Sequence, residues 1–292
     1  MPAGAGGTVA ETIAVASGKG GTGKTTVALG LAAVAAGPVT LLDCDVEEPN
    51  AHLFVGRSWD SQERITVRVP QFDAARCDHC GRCREVCRFN AIALLPQGPM
   101  LFAELCHSCG GCTLACPQGA ISEEPREIGT LRTAQAGGIT LVDGQLDVGE
   151  AKSPPLIEAV RARGSRDALT IIDAPPGTSC PLVAAVRGVD YVVLVTEPTP
   201  LGLNDLRLAA TAVRQLGLAC GVVVNRAGLG GAELRRYCDS EGLPVLTEIP
   251  FDRRIAAAYA RGAPLIDAVP GLRKLLTDLL ERVTAGAAEV AR

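Results

Sequence analysis

The chain is 292 residues long and 47% hydrophobic, with a formal charge of −4. A polypeptide of this size buries one large α/β core with room for a small satellite module. The net negative charge and the lack of a Lys/Arg stripe give no electrostatic case for binding nucleic acid.

The Ala/Gly-rich N-terminus lacks a basic n-region, and Val27 to Leu42 is broken by Gly30, Gly37 and Pro38, so neither a signal peptide nor membrane insertion is expected. Thr12 to Ser17 reads as a short buried strand. It runs into Gly18-Lys19-Gly20-Gly21-Thr22-Gly23-Lys24-Thr25-Thr26, where Gly18, Gly23, Lys24 and Thr25 fit the phosphate-binding pattern GxxxxGK(S/T). In such a loop the glycines let backbone N–H groups approach phosphates, Lys24 reaches the β and γ oxygens, and the Thr25 hydroxyl takes a Mg2+ position. Nucleotide contacts are expected along Gly18, Gly20, Gly21, Thr22, Gly23, Lys24, Thr25 and Thr26, with an apolar helix from Val27 to Ala36 behind them. A second strand from Val39 ends in Asp43-Cys44-Asp45. A carboxylate at a strand end is either a helix cap or a site group.

Two cysteine runs follow, Cys77-Asp-His-Cys80-Gly-Arg-Cys83-Arg-Glu-Val-Cys87 and Cys106-His-Ser-Cys109-Gly-Gly-Cys112-Thr-Leu-Ala-Cys116, each CxxCxxCxxxC. Thiolates this close wrap three corners of a cubane, while the fourth serves the neighbouring cluster. The spacing assigns Cys77, Cys80, Cys83 and Cys116 to one [4Fe-4S] cluster, and Cys106, Cys109, Cys112 and Cys87 to the other. The halves repeat at an offset of 29 residues, Cys77 onto Cys106 and Ala91-Ile92 onto Ala120-Ile121, as a pseudo-twofold module requires. Structural zinc fits eight cysteines in this paired spacing poorly. Cysteines that serve clusters rather than disulfides fit a reducing cytoplasm. Arg82, Arg84 and Arg88 beside the first run read either as a solvated face or as a dock for an acidic redox partner.

Apolar runs at 169–173, 191–196 and 221–224 alternate with helical stretches such as Leu203–Leu216. The fold class expected is α/β, a doubly wound, mostly parallel sheet with a small inserted α+β module. Leu272, Leu275, Leu276, Leu279, Leu280 and Val283 form one apolar helical face. With Asp278 and Glu281 among few basic residues, that face favours packing on the core over binding a membrane. Cys220 and Cys238 read as buried apolar residues, and His52, His79 and His107 form no pairing that suggests metal ligation or general-base work.

Lys19 completes KGGxGK(S/T), and this loop resembles the deviant P-loop of the septum-site, chromosome-partitioning, nitrogenase iron protein and Mrp-type cluster-carrier ATPases. The resemblance implies that Lys19 reaches across a nucleotide-sandwich dimer to the partner's phosphates. It also implies that Asp45 is the switch I aspartate orienting the attacking water, and that Asp43 supports the Mg2+ shell. Leu169 to Gly177 resembles the Walker B strand and switch II loop of the Mrp-type carriers, so Asp173 would hold a Mg2+-bound water and Gly177 would let the loop follow the γ-phosphate. Gly221 to Asn225-Arg226 ends at the position where the superfamily reads adenine. The cysteine region resembles the bacterial two-cluster ferredoxins over about 55 residues. Arg88 follows Cys87 where that family has proline, which would loosen the turn or add a charge that raises the potential.

The whole chain resembles the Mrp/septum-site-like P-loop ATPases of the SIMIBI class with an inserted ferredoxin domain. The resemblance divides it into a P-loop ATPase domain, 1–62 and 127–292, and an inserted two-cluster ferredoxin domain, 63–126. It implies ATP, Mg2+ and two [4Fe-4S] clusters as cofactors. The partners implied are a second ATPase subunit, in a homodimer or heterodimer, and a redox partner or apo iron–sulfur protein. ATP hydrolysis coupled to electron transfer is the leading expectation; a cluster-assembly carrier and a redox-sensing partitioning ATPase are the alternatives. Electron transfer leads because each cluster draws four cysteines from one module. Mrp-type carriers instead share a labile cluster between subunits, often through a CxxC near the C-terminus, and no CxxC follows residue 126 here. Cys180, beyond Asp173 where the nitrogenase iron protein has a ligand, is either an ordinary thiol or, completed by Cys44, part of a bridging cluster.

Overall fold

The computed structural model describes residues 11–55, 58–165, 167–228, 230, 232–263 and 265–290. The Ala/Gly-rich segment 1–10 read above lies outside them. The first half runs β1 (Thr12–Ala16), α1 (Lys24–Val34), β2 (Val39–Asp43), α2 (His52–Val55), β3 (Ser61–Phe72), α3 (Arg82–Val86), β4 (Ile92–Leu95), β5 (Gly98–Leu101), α4 (Gly111–Ala115), β6 (Ile121–Ala136) and β7 (Ile139–Leu146). The second half continues with α5 (Pro154–Arg161), β8 (Leu169–Asp173), α6 (Cys180–Val186), β9 (Tyr191–Thr196), α7 (Pro200–Gln215), β10 (Cys220–Ala227), α8 (Ala232–Glu241), β11 (Val245–Pro250), α9 (Arg253–Ala260) and α10 (Leu272–Val290).

Among the described residues, nine strands form one sheet in the order β11-β10-β9-β1-β8-β2-β7-β6-β3, parallel from β11 to β7 and antiparallel at β6 and β3. Alternation along the strands sends side chains to opposite faces. Ala14, Leu42, Ile172 and Leu194 meet α5, α6, α7 and α8 on one side, while Ile13, Leu41 and Ile171 meet α1, α9 and α10 on the other. Helices on both faces of a mostly parallel sheet make the doubly wound fold that the apolar runs imply. The C-terminal apolar stripe packs on the core as expected: Leu272, Leu276, Leu279 and Val283 are buried there. Gly30 of α1 makes the contact possible, since a Cβ at that position would lie 2.8 Å from Leu276. No helix among the described residues is long and apolar enough to cross a membrane.

The cysteine-rich residues 73–120 hang from the sheet's edge on a ribbon made of β3 and β6. β3 pairs with β6 along its whole length, from Ser61↔Thr133 to Phe72↔Ile121. The boundaries at 63 and 126 fall inside the paired strands. The pairing skips Ile128, because Ile65 faces Gly129 and Thr66 faces Glu127. β6 joins β7 only from Gly129 onward, so this bulge is where the ribbon leaves the main sheet, and a bulge bends and twists a strand locally. Gly129 is needed for the close approach: a Cβ there would sit 2.6 Å from the Gln145 carbonyl oxygen.

Candidate functional site

The phosphate loop connects β1 to α1 at the C-terminal end of the parallel strands, where doubly wound folds bind ligands. Gly21 and Gly23 take φ of 77° and 97°, a left-handed backbone open to glycine at no steric cost. Gly18 lies against the Asp205 backbone, and a Cβ on Gly23 would overlap the Asn225 amide. The Asn225 side chain donates Nδ2–H to the Thr22 carbonyl at 2.7 Å, so β10 braces the loop directly. Arg226, beside it, donates to Glu197 at 2.5 Å and to the Gly21 carbonyl at 3.4 Å. Lys19 Nζ lies 3.7 Å from the same Glu197 carboxylate. Glu197 thus gathers both cations that flank the loop.

Gly20, Gly21, Gly23 to Thr26, Asn225 and Arg226 line a cleft of about 700 Å³ that also takes in Asp45, Glu47, Glu48, Asn50 and Pro176, and is walled by Pro250, Phe251, Asp252, Ile255 and Tyr259. Sequence reasoning missed this last wall and Glu197. The signal was present in Pro250-Phe251-Asp252, a strand end followed by a helix cap: Asp252 accepts the Arg254 N–H at 2.8 Å and starts α9. Phe251 is half exposed at the cleft, an apolar ring free to face a base.

Three aspartates stand abreast at this end of the sheet, Asp173 on β8, Asp43 on β2 and Asp143 on β7, in direct register and almost fully buried. Both oxygens of Asp173 lack a hydrogen-bond partner among the described residues, which leaves them available to a cation's hydration shell near Thr25. Asp43 does not face the cleft; its carboxylate accepts N–H groups from Asp45, Asn50 and Ala51 at 2.9–3.1 Å and so shapes the loop 44–51. Burial pushes its carboxyl well above the ordinary range, and Asp173 and Asp143 on either side push it further. Asp45 is half-buried and its carboxyl is raised to about 6; burial drives the rise, Lys24 opposes it, and Glu47 and Glu48 add to it. Gly177 takes a φ of 96° in the loop after Asp173, and its N–H donates to the Ser17 carbonyl at 3.1 Å.

The cysteines sort into two small cavities. One is lined by Cys77, Cys80, Cys83 and Cys116, the other by Cys87, Cys106, Cys109 and Cys112. The 29-residue repeat extends to the backbone. His79 and Ser108 have φ of 58° and 54°, Gly81 and Gly110 have 81° and 71°, and Asn90 and Gly119 have 52° and 55°. Left-handed non-glycine residues cost about 1–2 kcal/mol each, and such outliers cluster where structure serves a site. The N–H of Ala91 points at Cys87 Sγ and that of Ala120 at Cys116 Sγ, both at 3.3 Å. Among the described residues no three His, Cys, Asp or Glu groups converge as a single metal ion requires. Arg88 leaves its turn unchanged: Cys87 has φ −73°, ψ 99° and Cys116, before proline, has φ −78°, ψ 111°. Cys44 is fully buried in the core, so it cannot complete a bridging site with the exposed Cys180.

A glycine-rich loop opening the first helix of a doubly wound sheet, with buried carboxylates beside it, defines a P-loop nucleotide-binding protein. The chain belongs to the CobQ/CobB/MinD/ParA nucleotide-binding family, whose profile matches residues 13–265. It is 31% identical to the uncharacterized protein MJ0578 of Methanocaldococcus jannaschii over 93% of this chain and 95% of that one. It is 24% identical to an iron–sulfur cluster carrier protein of Pyrococcus abyssi over 87% of this chain and 78% of the other. The fold is similar to that of the septum site-determining protein MinD complexed with Mg-ADP from Pyrococcus horikoshii, at 23% identity and a TM-score of 0.59, covering 97% of this chain and 99% of that one.

Proposed function

We propose that this chain works as a dimeric ATPase that couples its nucleotide state to electron transfer through two [4Fe-4S] clusters held by an inserted ferredoxin domain, residues 63–126. The observation that carries the reading is the sorting of eight cysteines into two cavities, each taking the fourth cysteine from the opposite run. This crossed pattern is what two cubanes need. Cys77, Cys80, Cys83 and Cys116 would hold one cluster, and Cys106, Cys109, Cys112 and Cys87 the other. Bound there, the clusters would supply one-electron chemistry, tuned by the N–H groups of Ala91 and Ala120 aimed at sulfur.

At the nucleotide, Lys24 and the N–H groups of Gly21, Gly23 and Thr25 would take the phosphates, and Thr25 with Asp173 would hold Mg2+, which would neutralise phosphate charge there. Asp45, in the cleft beside Lys24, orients the attacking water. Asn225, Arg226 and Phe251 border the base. Lys19 is released from Glu197 and reaches the partner subunit's phosphates, where it stabilises charge in the transition state.

A carrier that delivers clusters to apo-proteins is the second reading, and it is favoured by the likeness to proteins named iron–sulfur cluster carriers. The two readings part on how firmly the clusters stay. Anaerobically purified protein should contain about eight iron and eight labile sulfide per chain and keep them when mixed with apo-ferredoxin. Its cluster potential should also shift when a non-hydrolysable ATP analogue binds. Ready transfer of iron to apo-ferredoxin with no potential shift would establish the carrier, and stoichiometric zinc would remove both readings.

A further inference from the structure

The row of buried aspartates continues past the nucleotide site to the ribbon that carries the cysteines. Asp143 on β7 faces Arg132 on β6, and Arg132 in turn faces Gln62 on β3. The Arg132 guanidinium grips Asp143 with two bonds, Nε to Oδ1 at 2.7 Å and Nη2 to Oδ2 at 2.8 Å. It also lies 4.4 Å from the ring centroid of Trp59, just before β3. His52, at the start of α2, closes the circle. Its Nδ1 is 3.7 Å from Asp143, and its ring is 5.5 Å from that of Trp59.

Both ribbon strands are therefore fastened, through Arg132 and Trp59, to one carboxylate. On its other side β7 pairs with β2, Asp143 opposite Asp43, and β2 runs into the cleft loop 44–51. Asp43 holds the loop at Asp45, Asn50 and Ala51, the Val46 carbonyl accepts the Leu146 N–H of β7 at 2.9 Å, and the loop leads into His52. A buried ion pair is weak evidence for stability, since an apolar pair of similar volume serves as well or better. Its best-attested use is to fix one arrangement among several. Four residues from Arg132, the Ile128 bulge gives the ribbon a place to bend.

We infer that Asp143, Arg132, His52 and Trp59 form the joint through which movement of loop 44–51 at the nucleotide is passed to the β3–β6 ribbon. These are positioning residues; none touches the phosphates or the cysteines. The inference rests on the coupling proposed above and names its route.

The test is amide hydrogen exchange of residues 61–72 and 121–136 in the cluster-bearing protein, with and without Mg2+ and a non-hydrolysable ATP analogue. Arg132→Gln alone leaves Asp143 buried and unpaired, so it is accompanied by the apolar double variant Asp143→Leu with Arg132→Met, which keeps the volume. In the unaltered protein the analogue should change ribbon exchange by about fivefold or more. In the double variant the analogue should bind within about threefold of normal and still protect residues 18–26, while the ribbon response disappears. A ribbon response that survives in the double variant overturns the joint and leaves the coupling intact. No response in the unaltered protein, together with an unshifted cluster potential, overturns both.

Discussion

Asp45→Asn should make the nucleotide-free protein more heat-stable while removing its hydrolysis. The Asp45 carboxyl is raised from 3.8 to about 6 by burial. A carboxyl with a raised folded pKa binds more protons in the native than in the unfolded state between those two values. Stability therefore falls as pH rises through that window, and the penalty is complete above about pH 6. A rise from 3.8 to about 6 amounts to about 3 kcal/mol; solvent screening of a half-buried group reduces that to about 1–2 kcal/mol. The asparagine carries no such charge. Thermal melts at about pH 7.5 should place the variant about 2–8 °C above the unaltered protein, and the gap should shrink as pH is lowered toward 5. Single-turnover hydrolysis should fall by about 100-fold or more, since the water positioning proposed for Asp45 is lost. Equal melting at pH 7.5, or a gap that widens toward acid, would refute the reasoning.

Gly23→Ala forces a left-handed backbone on a residue with a Cβ and pushes that Cβ into the Asn225 amide; with about 1–2 kcal/mol of backbone strain, melting should drop by about 2–8 °C and nucleotide binding should be lost, as read by calorimetry and titration. Glu197→Gln frees Lys19 and Arg226 from their shared carboxylate. It should raise ATP affinity by about threefold or more at low salt, an effect that fades as salt screens the released charges; unchanged affinity would mean that Glu197 does not hold Lys19 back.

The phosphate loop, the central strands and the two cysteine sets were legible because each is a local pattern whose spacing carries its own geometry. Register is not local. Asp143 and Gly144 lie within β7, a strand that no local pattern announced. Gly144 is there because a Cβ would press on Val160, Val46 and Leu156 at 2.8–3.0 Å. β3 and β6 hid for a different reason: an edge ribbon alternates charged and apolar residues, as in Glu63-Arg64-Ile65-Thr66-Val67-Arg68, and lacks the apolar run that marks a central strand. Cys44 looked available beside Asp45, but its side chain packs in the core with Leu42 and Val46, while Asp45 lines the cleft. Alternation along the strand decides that, and it requires knowing which face the cleft occupies.

The position of the cysteine module decides what kind of coupling is physically open to it. In sequence it lies between the two loops that meet the nucleotide, which suggests closeness. In space the ribbon strand β3 is four strands from Asp173 on β8, about 19 Å at ordinary strand spacing, and the cysteines follow the end of that ribbon. At that distance one unit of charge changes the energy of another by about 0.2–0.9 kcal/mol before salt screening, and the Debye length of about 8–10 Å reduces it further. Allosteric couplings usually run to about 1–3 kcal/mol. A charge at the ribbon felt directly through space at that separation therefore falls short, and no cysteine of either set lines the nucleotide cleft. What remains is displacement of a packed element that both sites bias. The bidentate Asp143–Arg132 pair lies four residues from the bulge in that ribbon, so on the proposed coupling, disrupting the pair should remove the ribbon's response while leaving nucleotide binding in place.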